Sequence, residues 1–197
     1  MSFHTFGDSH SWLPFHCIPG VEIHHLGPML CYTVGRLKHD RTNGLNIQPT
    51  VKPGDTACFC FGEIDCRCHI HKHVTADRGH KQVIDQIVTD YFIALMENEK
   101  MVPGVKMVVY NVIPPARFPG TQQNPDYPFL GNNEERVAYS RHFNTAIAWN
   151  CKELGWPFVD VYDKYADETG CLNPVYSDGH VHIANPVFIE EFLKGIL

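Results

Sequence analysis

The sequence predicts a single α/β domain built on a doubly wound parallel sheet, and three observations carry that prediction. Short apolar segments alternate with long amphipathic ones along the whole chain, the pattern of strands joined by helices. Residues 56–61 (TACFCF) are apolar without interruption, as suits a strand covered on both faces. The chain has 197 residues, 44% hydrophobic and 19% charged, enough to bury one real core in one domain spanning 1–197.

The elements follow in order. Residues 3–6 form a short apolar strand ending at Gly7, and residues 21–25 a second, stopped by Gly27-Pro28. Residues 56–61 are the third. Over 79–98, Val83, Ile84, Ile87, Val88, Tyr91, Phe92, Leu95 and Met96 recur at three- and four-residue spacing, one face of a helix. Residues 105–113 read as the fourth strand, ended by Pro114-Pro115. A helix over 133–154 has a capping asparagine at Asn132 or Asn133, Glu134 and Glu135 in its first turn and Gly155 at its end. Residues 157–161 are the fifth strand. The last helix starts with Asn185 as cap and Pro186 as first residue, its apolar face running through Val187, Phe188, Phe192, Leu193, Ile196 and Leu197.

Composition narrows the function. Sixteen Lys and Arg against 22 Asp and Glu give a net charge of −6, with no basic run, which argues against a nucleic-acid partner. No apolar stretch reaches the roughly 20 residues of a spanning helix. The first residues lack the basic and apolar regions of a signal peptide, so a cytoplasmic location is expected. There the eight cysteines are expected as free thiols.

In a doubly wound sheet the ligand cleft lies at the carboxyl ends of the strands. That selects residues 7–11, 25–28, 62–69, 111–117 and the loop after Asp160. Gly7-Asp8-Ser9 follows the first strand, where a serine hydroxyl can project into the cleft, although a serine there is also a common helix cap. Asp178, His180 and His182 precede the last helix. A carboxylate and an imidazole together can activate a distant serine, whose hydroxyl is a weak nucleophile alone.

Gly-Asp-Ser after strand one, a glycine turn after strand two, Gly-x-x-Asp after strand three and Asp…His before the last helix together resemble the SGNH/GDSL hydrolases, over essentially the whole chain. The resemblance implies a flavodoxin-like three-layer α/β/α sandwich with about five strands. It implies cleavage of a small-molecule or glycan ester through an acyl-enzyme, without cofactor or metal. Ser9 is then the nucleophile, His182 the base with His180 as alternative, and Asp178 its partner. The oxyanion would be met by the N–H groups of Ser9 and Gly27, with Gly35 as the second choice for that glycine. Acyl transfer and a non-catalytic glycan-binding module are the competing functions.

The sequence departs from the family pattern in two places. The family's third block is Gly-x-Asn-Asp, whereas this chain has Gly62-Glu63-Ile64-Asp65, so Ile64 offers no side-chain donor. The family's Asp-x-x-His becomes a spacing of four to His182 or two to His180. Arg67, Asn111 or backbone groups are expected to replace the missing donor. Glu63, Asp65, Arg67 and His69 alternate with apolar residues and read as a polar wall, with Arg67 held by Glu63 or Asp65 and aimed at Ser9. Cys58, Cys60, Cys66, Cys68, His69, His71 and His73 are dense enough to raise a zinc site, but Cys-x-Cys inside an apolar strand is poor spacing for one. Trp12, Trp149 and Trp156 are expected to pack, and 118–132 to form a loop at the cleft mouth.

Overall fold

A computed structural model describes residues 1–120 and 124–195. Five parallel strands, β1 (Phe3–Gly7), β2 (Val21–His25), β3 (Thr56–Cys60), β4 (Lys106–Tyr110) and β5 (Phe158–Val159), lie in the order β2-β1-β3-β4-β5. The helices are α1 (Cys31–Arg36), α2 (His80–Met101), α3 (Asn133–Leu154), α4 (Tyr162–Tyr165) and α5 (Val187–Leu193). The architecture is the three-layer α/β/α sandwich expected.

Strand alternation builds two cores. Ala57 and Phe59 of β3 with Met107 and Val109 of β4 face one way, onto α1, α2 and α3. Cys58, Cys60, Val108 and Tyr110 face the other, onto Phe15, α4 and α5. Both faces of the central strands are therefore dry, which is why they read as continuous apolar runs.

The ends of the elements differ from expectation for local reasons. β4 stops at Tyr110; beyond it the Val112 N–H donates to the Asn144 side chain, and the Asn111 side chain accepts from the Val161 N–H. β5 is two residues long rather than five. The short helices α1 and α4 were not expected. α3 keeps its expected limits: Asn132 accepts from Glu135 N–H, and Gly155 closes it at φ 70°. The last helix begins one residue late, at Val187, yet Asn185 still accepts the Val187 N–H at 3.2 Å. Ile196 and Leu197, expected on its apolar face, lie outside the described residues. Among the described residues no helix is long and apolar enough to cross a membrane.

The order 2-1-3-4-5 places the topological switch between β1 and β3, where the chain leaves in opposite directions and a cleft opens at the carboxyl ends. Gly7 pairs with both His25 and Cys60 there. A Cβ on Gly7 would run into the carbonyl of Cys60, so only glycine lets the chain turn at this point.

Candidate active site

β1 delivers Ser9 directly into the cleft. Asp8 is fully buried and caps the 3-10 turn Ser9–Ser11, its carboxylate accepting from the N–H of His10. Ser9 is therefore not the cap; its side chain points outward. The Ser9 Oγ lies 2.9 Å from His182 Nε2, and His182 Nδ1 lies 2.7 Å from Asp178 Oδ2. Ser9 and His182 are 173 residues apart and meet because the segment before α5 lies against the turn that follows β1.

The loop that carries His182 is held by its own carboxylate. Asp178 Oδ1 accepts from the N–H groups of His180 and His182 at 2.8 and 3.2 Å, while Oδ2 takes the His182 ring. His180 thus contributes its main chain to Asp178. Burial opposes the Asp178 charge, but the His182 ring and these N–H groups outweigh it and hold the carboxyl below its usual range. Burial and then a neighbouring imidazole, His10, hold His182 below its usual value, with Asp178 opposing both.

The cleft has a volume of about 490 Å³, and Ser9, His182, Ile64, Arg67, Tyr127 and Phe129 line it. Tyr127 and Phe129 come from the loop expected at the cleft mouth. Arg67 is 9% exposed, and Glu63 holds it through Nε at 2.8 Å and Nη2 at 3.1 Å, while Nη1 donates to the Tyr127 carbonyl at 2.5 Å. Two of its five N–H groups remain without a partner among the described residues.

The route by which Arg67 reaches the cleft differs from the expectation. Residues Asp65–His69 form a π-helical turn and Ile70–His73 a 3-10 turn, so strand alternation does not apply. Glu63 and Arg67 meet because they are four apart on a helical turn. Asp65 is consequently not in the cleft. Fully buried, it accepts from the N–H groups of Cys31 and Tyr32 at the start of α1, and burial pushes its carboxyl up to about 7 against those bonds. Asn111 is also elsewhere: its amide donates to the Val112 carbonyl and accepts from Val161 N–H, tying β4 to the segment after β5. Gly27 sits at φ 70° in the turn after β2, which Leu26 N–H ties to the Gly7 carbonyl at 2.8 Å. Gly35 faces α2, where a Cβ would meet Asp90 at 2.7 Å, so its role is helix packing and not oxyanion binding.

The side chains that raised a zinc site separate, and one further expectation, on the tryptophans, needs revision. The thiols do not converge: Cys58 and Cys60 face one core and Cys66 the other. The histidines divide as well. His69 and His73 border a separate hollow of about 340 Å³ beside α1 and α2, and His71 meets the Tyr139 hydroxyl at 3.1 Å. Trp156 packs, but Trp12 and Trp149 are exposed. Among the described residues, the metal-ligating side chains that do come together are His4, Glu22 and His24, on β1 and β2 away from the cleft.

Sequence reasoning missed His10. It is 4% exposed, with Nδ1 2.8 Å from Asp8 Oδ1 and Nε2 3.1 Å from the Val181 carbonyl, and its ring centre is 5.0 Å from that of His182. Its one signal is the spacing Asp8-x-His10 just beyond a strand end.

No family model matches the sequence, and no curated protein does. Solved structures match across nearly the whole chain. A candidate acylhydrolase from Bacteroides fragilis shares 16% identity over 99% of this chain and 85% of its own, with a TM-score of 0.66. A GDSL-like lipase from Bacteroides thetaiotaomicron shares 17% over 99% and 86%, with a TM-score of 0.59. An extracellular lipase from Streptomyces rimosus shares 13% over 100% of both chains, with a TM-score of 0.60. At these identities what is shared is the fold: the chain has the fold of the GDSL-like hydrolases.

Proposed function

We propose that the protein is a serine ester hydrolase acting through an acyl-enzyme on Ser9. The observation that carries this reading is the continuous chain Ser9 Oγ, His182, Asp178, with links of 2.9 and 2.7 Å. The likeness to acylhydrolases and GDSL-like lipases supports the same class of reaction.

In this reading Ser9 Oγ attacks the ester carbonyl as His182 Nε2 takes its proton, and Asp178 holds the ring and balances the imidazolium. The tetrahedral oxyanion is met by the N–H groups of Ser9 and Gly27 and by an Arg67 N–H that has no partner among the described residues, which replaces the donor that Ile64 lacks. The intermediate collapses, the alcohol leaves with the proton from His182, and an acyl-Ser9 ester remains. Water, deprotonated by His182, then attacks the acyl carbon and releases the acid and Ser9. The substrate is a small-molecule or glycan ester, and a second alcohol in place of water makes the same site an acyltransferase. No cofactor enters this chemistry. The unbridged thiols fit a reducing compartment, and we place the reaction in the cytoplasm.

A second reading rests on Ile64: with its side-chain donor gone, the site binds glycan esters without turning them over. A fluorophosphonate probe separates the two. The hydrolase reading expects stoichiometric labelling of Ser9, abolished in Ser9→Ala together with p-nitrophenyl acetate turnover. An unlabelled native protein with no turnover leaves the binding module.

A further inference from the structure

His10 has no part in the proposed proton transfers, yet it is the most constrained ionisable group near them. Both ring nitrogens face acceptors: Nδ1 meets the Asp8 carboxylate at 2.8 Å and Nε2 the Val181 carbonyl at 3.1 Å. An acceptor-only partner on each side requires an N–H on each nitrogen, which only the imidazolium has. Asp8 is tied down in turn, because the same Oδ1 accepts from the His10 backbone N–H at 2.8 Å. Val181 immediately precedes His182, so the bond from His10 Nε2 joins the turn that bears the nucleophile to the loop that bears the base.

We propose that His10 is a positioning residue for this site: an imidazolium clasped between Asp8 and the Val181 carbonyl, it fixes the loop that presents His182 and keeps His182 unprotonated and ready to act as base.

The electrostatics have a definite sign. His182 faces Asp178 from its own loop, His10 from the turn after β1 and Glu63 from the segment after β3. His10 faces Asp8, Glu63 and His182. Burial opposes the charge on His10, but Asp8 and Glu63 outweigh it and push its pKa up to about 9. A cation with its ring centre 5.0 Å away makes a second proton on the His182 ring unfavourable. His182 is thereby left as the neutral acceptor that attack by Ser9 requires, with its own value below 6.5. Removing the His10 charge must raise the proton affinity of His182. It also leaves Asp8 unopposed, which acts in the same direction.

This role rests on the hydrolase reading, and the experiment keeps the two separable. Nitrogen NMR of the native protein tests the charge directly: His10 is expected doubly protonated at pH 7.5, titrating near pH 9, whether or not the protein has activity. The rate of Ser9 phosphonylation against pH then tests the consequence. The native acid limb is expected below pH 6.5. His10→Gln keeps a donor for Val181 without the charge, and should move that limb to higher pH by about one unit. His10→Phe removes the clasp as well, and should add a loss of at least about tenfold in the plateau rate. A neutral His10 at pH 7.5 overturns the inference while leaving the hydrolase reading standing. So does an unmoved limb in a folded His10→Gln variant. Absence of labelling at Ser9 in the native protein overturns the hydrolase reading, and with it the positioning role, even where NMR finds the imidazolium.

Discussion

Two aspartate–histidine pairs lie side by side above β1, with ring centres 5.0 Å apart, and they differ in what their second nitrogen faces. Asp8–His10 and Asp178–His182 have almost the same first contact, 2.8 and 2.7 Å. Beyond it, His10 Nε2 faces a carbonyl, which can only accept, and His182 Nε2 faces a hydroxyl, which can donate. The first ring must carry two protons, and the second can keep a lone pair. Burial alone would give the reverse, since His10 is the more buried and burial penalises the cation. The lesson is that a neighbouring carboxylate does not by itself make an imidazole a base. The partner of the other nitrogen and the charges around the ring decide together.

The sharpest way to break this comparison is to remove one ring at a time. His182→Gln should lower kcat on an activated ester by about 10³-fold or more, since the proton acceptor itself is lost. The tenfold plateau loss expected for His10→Phe is far smaller, because His10 handles no substrate proton. Comparable losses for the two variants would mean that the roles of the rings are misassigned. Steady-state kinetics of the purified variants, with circular dichroism as a check on folding, measures the difference.

A smaller effect comes from the side of the cleft that faces both rings. Glu63 acts on His10 and His182 alike, and Arg67 compensates it. Arg67→Ala should reduce kcat by about 10²-fold through loss of the oxyanion donor. It should also move the acid limb upward, because the uncompensated Glu63 carboxylate favours the protonated form of His182. Arg67→Lys separates the two consequences. A lysine can restore the limb by its charge, but a single ammonium cannot both pair with Glu63 and reproduce the planar fork that reaches the substrate oxygen. Unchanged kcat in Arg67→Ala would take the third donor out of the mechanism.

How legible this site was in the sequence depends on the element carrying each residue. The sheet and the two long helices α2 and α3 were readable because their periodicity is strong and their faces are fully covered. Ser9 was expected because a carboxyl-end loop is where such a sheet places ligands, and Asp178 and His182 because the segment before the last helix resembles the family pattern; the three side chains do meet. Asp65 and Asn111 were misread because they occupy polar positions at the same end, while buried N–H groups at the start of α1 and after β5 claim their side chains. Nothing in an isolated chain announces that claim. Arg67 reached the expected cleft through a π-helical turn, so the alternation argument was wrong although the pairing with Glu63 came out as expected. His10 was passed over because a histidine inside a tight turn carries no pattern until Val181, 171 residues away, is seen against it.

The least effect is expected from the third imidazole of the group, His180. It shares a loop and an aspartate with His182 and stands closer to Asp178 in sequence. What it gives Asp178 is its backbone N–H, at 2.8 Å, and that bond is independent of the side chain. The carboxylate oxygen that could orient an imidazole, Oδ2, is taken by His182 at 2.7 Å, and the Ser9 hydroxyl also faces His182. A base must lie within hydrogen-bond reach of the proton it abstracts, and the Asp178 oxygen that could align His180 for that task is already engaged. The His180 side chain borders the cleft, so its influence falls on substrate binding more than on chemistry. His180→Ala is therefore expected to change kcat less than about threefold, with any larger change in KM, because it removes contacts made equally in the ground and transition states. A fall in kcat approaching that of His182→Gln would instead make His180 the base. It would require the Asp178 loop to turn over during catalysis, and the comparison of the two fixed pairs would then give way to an exchange between three rings.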